Sequence, residues 1–210
     1  MKKITLLSAL AAIILASCAG NPDGKKAEVK DSVELTSSEL VGTTYAVDTQ
    51  ASKLVWNGTK VTGAHTGTVD FKNGALTVDN GIITGGNFVL DMHTISSTDL
   101  EGEFKEKLDG HLKADDFFGT ETHPEASFVI TEVKPGTSAN DLLISGNLVI
   151  KGISKNITFD TKIAEISDTS LKATADFNIA REDWGVSYAG KADDLISKEI
   201  NFKISLVANK

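Results

Sequence analysis

Strict alternation of apolar and polar side chains constrains this fold more than any other feature of the sequence. It is clearest in two runs near the C-terminus, Leu171–Ile179 and Ile200–Leu206, where every second residue is apolar. A repeat of two residues places the apolar side chains on one face of a β-strand. Similar runs recur from Thr44 onward and are separated by turn signals such as Asn73-Gly74. The chain after residue 43 is therefore predicted to be mainly β.

The order of these runs indicates how the strands pair. Consecutive parallel strands need a crossover of a dozen or more residues, usually a helix, and the late runs follow one another without such a segment. The sheet is therefore expected to be antiparallel, and closing it into a barrel of about eight strands would remove its exposed edges. A barrel of that size holds either a filled core or one slender ligand. The alternation of apolar and polar residues does not decide between a filled core and a ligand cavity.

One α-helix is expected near 99–113, where it would cover the barrel. Leu100, Phe104, Leu108 and Leu112 recur at steps of four and mark one apolar face. Thr98 and a glutamate three residues later have the spacing of a capping box just before that face. Elsewhere the sequence has the pattern of strands and turns.

The N-terminus has the features of a bacterial lipoprotein leader. Two lysines precede an apolar run over residues 4–16, which is typical of a secretory signal peptide and too short for a comfortable membrane span. The tetrapeptide LASC, which ends at Cys18, resembles a lipobox. That resemblance implies removal of residues 1–17 and attachment of diacylglycerol to the Cys18 sulfur. Ordinary signal cleavage near Ala19 is the alternative.

Three segments follow from these patterns. Residues 1–17 are predicted to be the lipoprotein signal peptide, 18–42 a polar and flexible tether, and 43–210 the barrel domain. The expected location is the periplasm, with the protein anchored to a membrane through Cys18. Ala19 stands where some lipoproteins carry the Asp that retains them at the inner membrane, which favours the outer membrane.

The charge excludes one class of partner. Loss of Lys2 and Lys3 with the leader would lower the formal net charge from -8 to -10, and no basic cluster compensates. Nucleic acid binding needs concentrated Lys and Arg to neutralise phosphates. No nucleic acid partner is expected.

Four sequence blocks together resemble the YceI-like family. They are GAHTGTVDF at 63–71, HLKADDFF with HPEASF between 111 and 128, GNLVIKGISK at 146–155 and REDWG at 181–185. The resemblance implies a lipocalin-like antiparallel barrel with a helical cover and a long apolar cavity for a polyisoprenoid or similar amphiphilic lipid. His123 and Trp184 depart from the family's usual Tyr and Phe.

The predicted ligand contacts are mostly apolar, because a lipid tail offers only apolar area, worth about 25 cal/mol per Å² buried. His65 and His111 are the candidates for a headgroup contact. Arg181 could bind a phosphate or carbonyl at the barrel mouth, or could instead pair with an acid such as Asp183. The complete predicted set is Trp56, His65, Phe71, Phe88, Met92, Phe104, Leu108, His111, Phe117, Phe118, Phe128 and Arg181.

No catalytic, metal or cofactor site is expected. The four histidines lack the short spacing of a zinc motif, and the serines at 96 and 97 lack the Gly-x-Ser-x-Gly elbow. The predicted function is a lipid-anchored periplasmic protein that binds a polyisoprenoid, an isoprenoid quinone or a similar amphiphile. The alternatives are an enzyme acting on such a lipid and a filled barrel serving as a structural or interaction module in stress response. A homodimer stays open.

Overall fold

The computed structural model of the chain describes residues 20–35 and 41–210. The predicted signal peptide and Cys18 lie outside the described residues. The elements are β1 (Lys25–Lys26), β2 (Glu28–Asp31), β3 (Thr43–Val47), β4 (Lys53–Lys60), β5 (Gly63–Asp79), β6 (Ile82–Ser97), α1 (Gly102–Lys113), β7 (Glu125–Pro135), β8 (Asp141–Ile150), β9 (Ile153–Ile166), β10 (Ser170–Ala180), a 3-10 helix (Arg181–Trp184), β11 (Gly190–Lys191) and β12 (Asp194–Asn209).

Eight antiparallel strands close into a barrel. The hydrogen-bonded order is β4-β5-β6-β7-β8-β9-β10-β12, and β12 pairs again with β4. Strand β3 pairs with the other halves of β5 and β12, so β3 and β4 occupy one position of the barrel in succession. The prediction of an antiparallel barrel of about eight strands with one helix is confirmed.

The two ends of the barrel differ. The helix end carries α1, the 3-10 helix and the turns at 61–62, 151–152 and 192–193. The turn end carries the connections at 80–81, 136–140 and 167–169. The two ends therefore present different chemistry to their surroundings.

Helix α1 is held to the end of β6 by one carboxylate. Asp109 accepts hydrogen bonds from the Ser96 hydroxyl and from the Ser97 N–H, each at 2.7 Å. Burial opposes ionisation of Asp109, but these bonds and one from Lys105 outweigh it and lower the pKa of Asp109 below its usual value. The predicted capping box does not form, because the Thr98 hydroxyl donates to the Thr66 carbonyl and the N-cap Glu101 receives no side-chain bond.

Residues 20–35 correct the expectation of a flexible tether over 18–42. Strands β9 and β10 pair with each other only near the turn end, over 161–166 and 171–175. Toward the helix end, β1 pairs with β10 and β2 pairs with β9, with the buried Ala27 between them. Open strand edges leave N–H and C=O groups unpaired. The N-terminal segment satisfies those groups and completes the barrel wall.

Candidate functional site

The barrel encloses an apolar cavity of about 190 Å³. Every one of the eight barrel strands contributes to its wall. Its volume exceeds the 150 Å³ of an engineered apolar cavity that stays dry and takes up benzene. The interior is therefore hollow along part of its length, which the alternation pattern alone could not show.

Six phenylalanine rings form a belt around the cavity, each contributed by a different strand. Neighbouring ring centroids lie between 4.1 and 6.5 Å apart, with stacked, tilted and edge-to-face geometries. Such contacts are favourable beyond the area they bury. In order around the wall the belt is Phe71, Phe88, Phe128, Phe159, Phe177 and Phe202.

Two glycines make room for the largest side chains of the wall. A Cβ at Gly146, on β8, would lie 2.3 Å from the ring of Phe128. A Cβ at Gly67, on β5, would lie 2.3 Å from the indole of Trp56. Only a residue without a side chain leaves these rings their position against the strand. The G-x-V-x-F pattern at 67–71 thus has a packing reason.

The wall at the helix end is built from the segment that follows α1. Phe117 and Phe118 are buried, with ring centroids 5.2 Å apart, and both line the cavity. The guanidinium carbon of Arg181 lies 5.9 Å from the centroid of the Phe117 ring. Leu112, the buried residue of α1, completes this part of the wall.

Arg181 is the cation of the wall. Its side chain is almost fully buried, with 2% exposure, and donates to the carbonyls of Ser197 at 2.9 Å and Val186 at 2.6 Å. Burial lowers the pKa of Arg181, although the nearby Glu182 acts in the opposite direction. It forms no salt bridge with any residue in the described ranges, so the pairing with Asp183 considered above is not made. An arginine has five N–H donors, and acceptors within the described residues engage only part of them.

Eight of the twelve predicted contact residues line the cavity. They are Trp56, Phe71, Phe88, Met92, Phe117, Phe118, Phe128 and Arg181. The structure brings them together from β4, β5, β6, β7, the segment after α1 and the 3-10 helix. Their contact with a ligand stays a prediction.

The structure places the other four outside the cavity wall. The Nδ1 atom of His65 lies 2.8 Å from the Oδ2 atom of Asp99, and this contact fixes the loop that enters α1. His111 packs edge-on against Tyr188, with centroids 4.5 Å apart, and Leu108 is half-buried against the core. Phe104 is 75% exposed. The lining role expected of Phe104 and Leu108 is corrected, because Leu112 is the residue of α1 that lines the cavity. A headgroup contact by His65 or His111 stays a prediction.

The His65–Asp99 contact has an electrostatic consequence. Burial works against ionisation of Asp99, but hydrogen bonds from His65 and from the Thr66 N–H outweigh it and lower the pKa of Asp99. This pair therefore stabilises the loop before α1 and lies away from the cavity.

Several wall residues were absent from the predicted set. Phe159, Phe177 and Phe202 complete the belt, and Ala173 and Ala175 leave the space beside it. Their signal was present in the sequence, because each lies on the apolar side of a period-two run. What the pattern could not indicate is which inward side chains face a void and which interlock.

Neither a metal cluster nor a membrane-spanning helix is found in the part of the chain that the structure describes. No group of three or more His, Cys, Asp or Glu residues among 20–35 and 41–210 could hold a metal ion. Within the same ranges, no helix is both long enough and apolar enough to cross a bilayer.

An eight-stranded antiparallel barrel with an apolar interior defines a class of small barrels that can enclose a slender ligand. A family model described as YceI-like domain matches residues 45–208. The chain belongs to the YceI-like family.

Relatives and solved structures agree with that assignment. Protein YceI of Escherichia coli O17:K52:H18 (strain UMN026 / ExPEC) is 31% identical over 115 residues, covering 54% of this chain and 52% of that protein. The chain thus spans about half the length of the curated relatives it matches.

Two solved structures share the fold at low sequence identity. Burkholderia cenocepacia BcnA superposes with a TM-score of 0.65 and 19% identity, covering 77% of this chain and 99% of that one. A polyisoprenoid binding domain from Saccharophagus degradans, implicated in plant cell wall breakdown, has a TM-score of 0.58 and 18% identity, covering 79% and 97%.

Proposed function

We propose that this protein is a lipid-anchored periplasmic binding protein that holds a polyisoprenoid, an isoprenoid quinone or a similar amphiphilic lipid in its barrel. The observation that carries the proposal is the hollow, phenylalanine-belted interior. The anchor is the diacylglycerol expected at Cys18, which lies outside the described residues, and the outer membrane is its expected location. The proposed role is binding without conversion of the lipid.

The shape of the cavity suits one extended chain. Along β12 the wall runs from Ile196 to Leu206, a strand length of about 33 Å, or roughly 25 Å along the barrel axis at the usual strand tilt. A volume of about 190 Å³ spread over such a length is long and narrow. A single isoprenoid or acyl tail fits this shape better than a fused ring system, and aromatic walls offer it many modest contacts.

The proposed position of the ligand's polar end is the helix end. There the buried Arg181 combines a positive charge with N–H donors that have no acceptor among the described residues. A charge-assisted hydrogen bond to a carbonyl or phosphate oxygen would offset part of the cost of burying that cation. The tail would then extend from Arg181 past the belt toward the turn end.

Support for this class of ligand comes from the fold. The Saccharophagus degradans domain with the same fold is described as binding polyisoprenoid. The family match covers residues 45–208, and every residue that lines the cavity lies within that range.

The test is to load the protein and then fill its cavity by mutation. Protein purified gently from membranes is expected to carry one long-chain lipid, seen by native mass spectrometry and identified after extraction. Ala173→Phe places a ring inside the wall and should abolish or reduce this occupancy at least tenfold, because the space for the tail is removed. Lys172→Phe adds the same ring to the outer face of the same strand and should leave occupancy unchanged.

Two results would contradict the proposal. One is the absence of any lipid, both after purification and after incubation with a polyprenyl phosphate or a quinone. The other is equal occupancy in the wild type and in Ala173→Phe, since a ligand outside the barrel would not respond to a ring placed inside it.

A further inference from the structure

The N-terminal segment fixes where the chain leaves the barrel. The Gly20 carbonyl accepts a hydrogen bond from the Thr59 hydroxyl, and the Asn21 side chain accepts one from the Ser197 hydroxyl at 2.9 Å. The Pro22 carbonyl accepts another from the buried Asn178 at 2.9 Å. Thr59 and Ser197 lie at the helix end of β4 and β12. The chain therefore departs from the helix end.

The covalent chain limits how far Cys18 can lie from this exit point. Cys18 stands two positions before Gly20 in the sequence. Extended chain spans at most about 3.6 Å per residue, so the two lie within about 7 Å of each other. Acyl chains on Cys18, which belong to the proposed function, would therefore enter a bilayer directly beside the helix end.

The helix end also carries apolar side chains that the protein leaves exposed. Phe104, on α1, is 75% exposed. Val61, in the turn between β4 and β5, is 37% exposed, and Leu195, near the start of β12, is 38% exposed. The Val61 N–H donates a hydrogen bond of 3.1 Å to the Leu195 carbonyl. Ile153, the first residue of β9 after the turn at 151–152, is 38% exposed. Together these four residues form the apolar rim of the helix end.

We propose that this apolar rim is a membrane-contacting surface, which the anchor at Cys18 holds against the bilayer. The inference rests on the lipid anchor of the proposed function. Phe104 inserts its ring among the lipid chains, and Val61, Leu195 and Ile153 contact the interface. Transfer of a phenylalanine ring out of water favours the docked state by roughly tenfold to a hundredfold.

The charge of the surface selects the kind of bilayer. Residues 101–116 contain six acidic and three basic side chains. A negative surface is repelled by anionic lipid and gains nothing from counterion release. Docking is therefore expected on zwitterionic bilayers, with little dependence on salt. The wall formed by Phe117, Phe118 and Arg181 then faces the lipid, so that a ligand reaches the cavity without crossing bulk water.

The test uses the full lipoprotein reconstituted in phosphatidylcholine vesicles. Cys18 is the natural cysteine of the chain, and acylation blocks its sulfur. A nitroxide spin label can thus be placed at Phe104→Cys, or at Ile82→Cys as the matched control. Ile82 is 61% exposed and lies at the turn end. The label at 104 should be shielded from a water-soluble nickel complex and accessible to oxygen, and the label at 82 should show the reverse.

Equal access of the nickel complex to both labels would overturn the proposal. So would a chain that stays in the soluble fraction without acyl groups, because the anchor would then be missing. Lipid retained in the cavity of the same preparation is measured separately, and it alone decides the proposed binding function. The two failures are therefore distinguishable.

A second variant tests the contribution of the ring itself. Phe104→Ser should slow the loading of a quinone from vesicles about tenfold and leave the quinone affinity in detergent unchanged. Ile82→Ser should change neither. Unchanged loading in Phe104→Ser would overturn the role of this side chain in docking.

Discussion

Glycine at selected wall positions decides how large the neighbouring rings can be. Gly146 faces Phe128, and the absence of a side chain there lets the ring approach β8 closely. Gly67 does the same for Trp56. Gly58, on β4, is different, because a Cβ there would meet no atom within 4 Å. The three glycines therefore separate the effect of close packing from the general effect of glycine in a strand.

Gly146→Ala is expected to destabilise the barrel by about 1–3 kcal/mol, the usual cost of inserting a methyl group into a packed interior. The new Cβ would lie 2.6 Å from the Val129 carbonyl oxygen as well as 2.3 Å from the Phe128 ring, so backbone must shift. Gly58→Ala should be neutral or stabilising by about 0.5–1 kcal/mol. Urea unfolding of both variants checks this, and equal midpoints would contradict the packing argument.

At the scale of elements, two segments gained their roles from contacts that no local pattern reveals. Residues 25–31 have a polar, mixed-charge sequence, and they form wall because their backbone pairs with the open edges of β9 and β10. Helix α1 has a regular apolar face, but its N-terminal turn extends past the wall and leaves Phe104 exposed. The pairing of residues 25–31 with strand edges and the position of α1 beyond the wall both depend on tertiary contacts. The periodicity of the sequence therefore could not predict either of them.

The attachment of α1 predicts an acid-sensitive end of the barrel. The pKa of Asp109 is lowered in the folded state, so its contribution to stability is complete above the unfolded value of about 3.9 and is lost as the pH falls through the folded pKa. Asp109→Asn should cost about 1–2 kcal/mol at pH 7 and much less at low pH. Hydrogen exchange of α1 amides as a function of pH measures this, and a pH-independent difference would contradict it.

At the scale of the whole molecule, the fold followed from alternation, and the cavity did not. The inward-facing positions of β10 and β12 could be predicted from the sequence, because Leu171–Ile179 and Ile200–Leu206 alternate without a break. Whether inward rings interlock or surround a void depends on the barrel radius and on the small residues Ala173 and Ala175, which act together. Eight of the twelve predicted contacts line the void: seven lie on strands or immediately after α1, and Arg181 lies in the 3-10 helix.

The molecule as a whole is a barrel with one chemically distinct end. The helix end combines the exit of the N-terminal segment, the buried Arg181 and the exposed Phe104. The interior beyond that end is apolar through the belt. A long amphiphile whose polar group stays at the helix end satisfies both regions at once.

A crystal structure of the protein purified with its lipid tests the central claim most directly. One continuous tail of density is expected inside the belt, with its polar end within hydrogen-bonding distance of Arg181. Density confined to the outer surface, or an interior closed by repacked phenylalanine rings in protein that has been saturated with polyprenyl lipid, would contradict it.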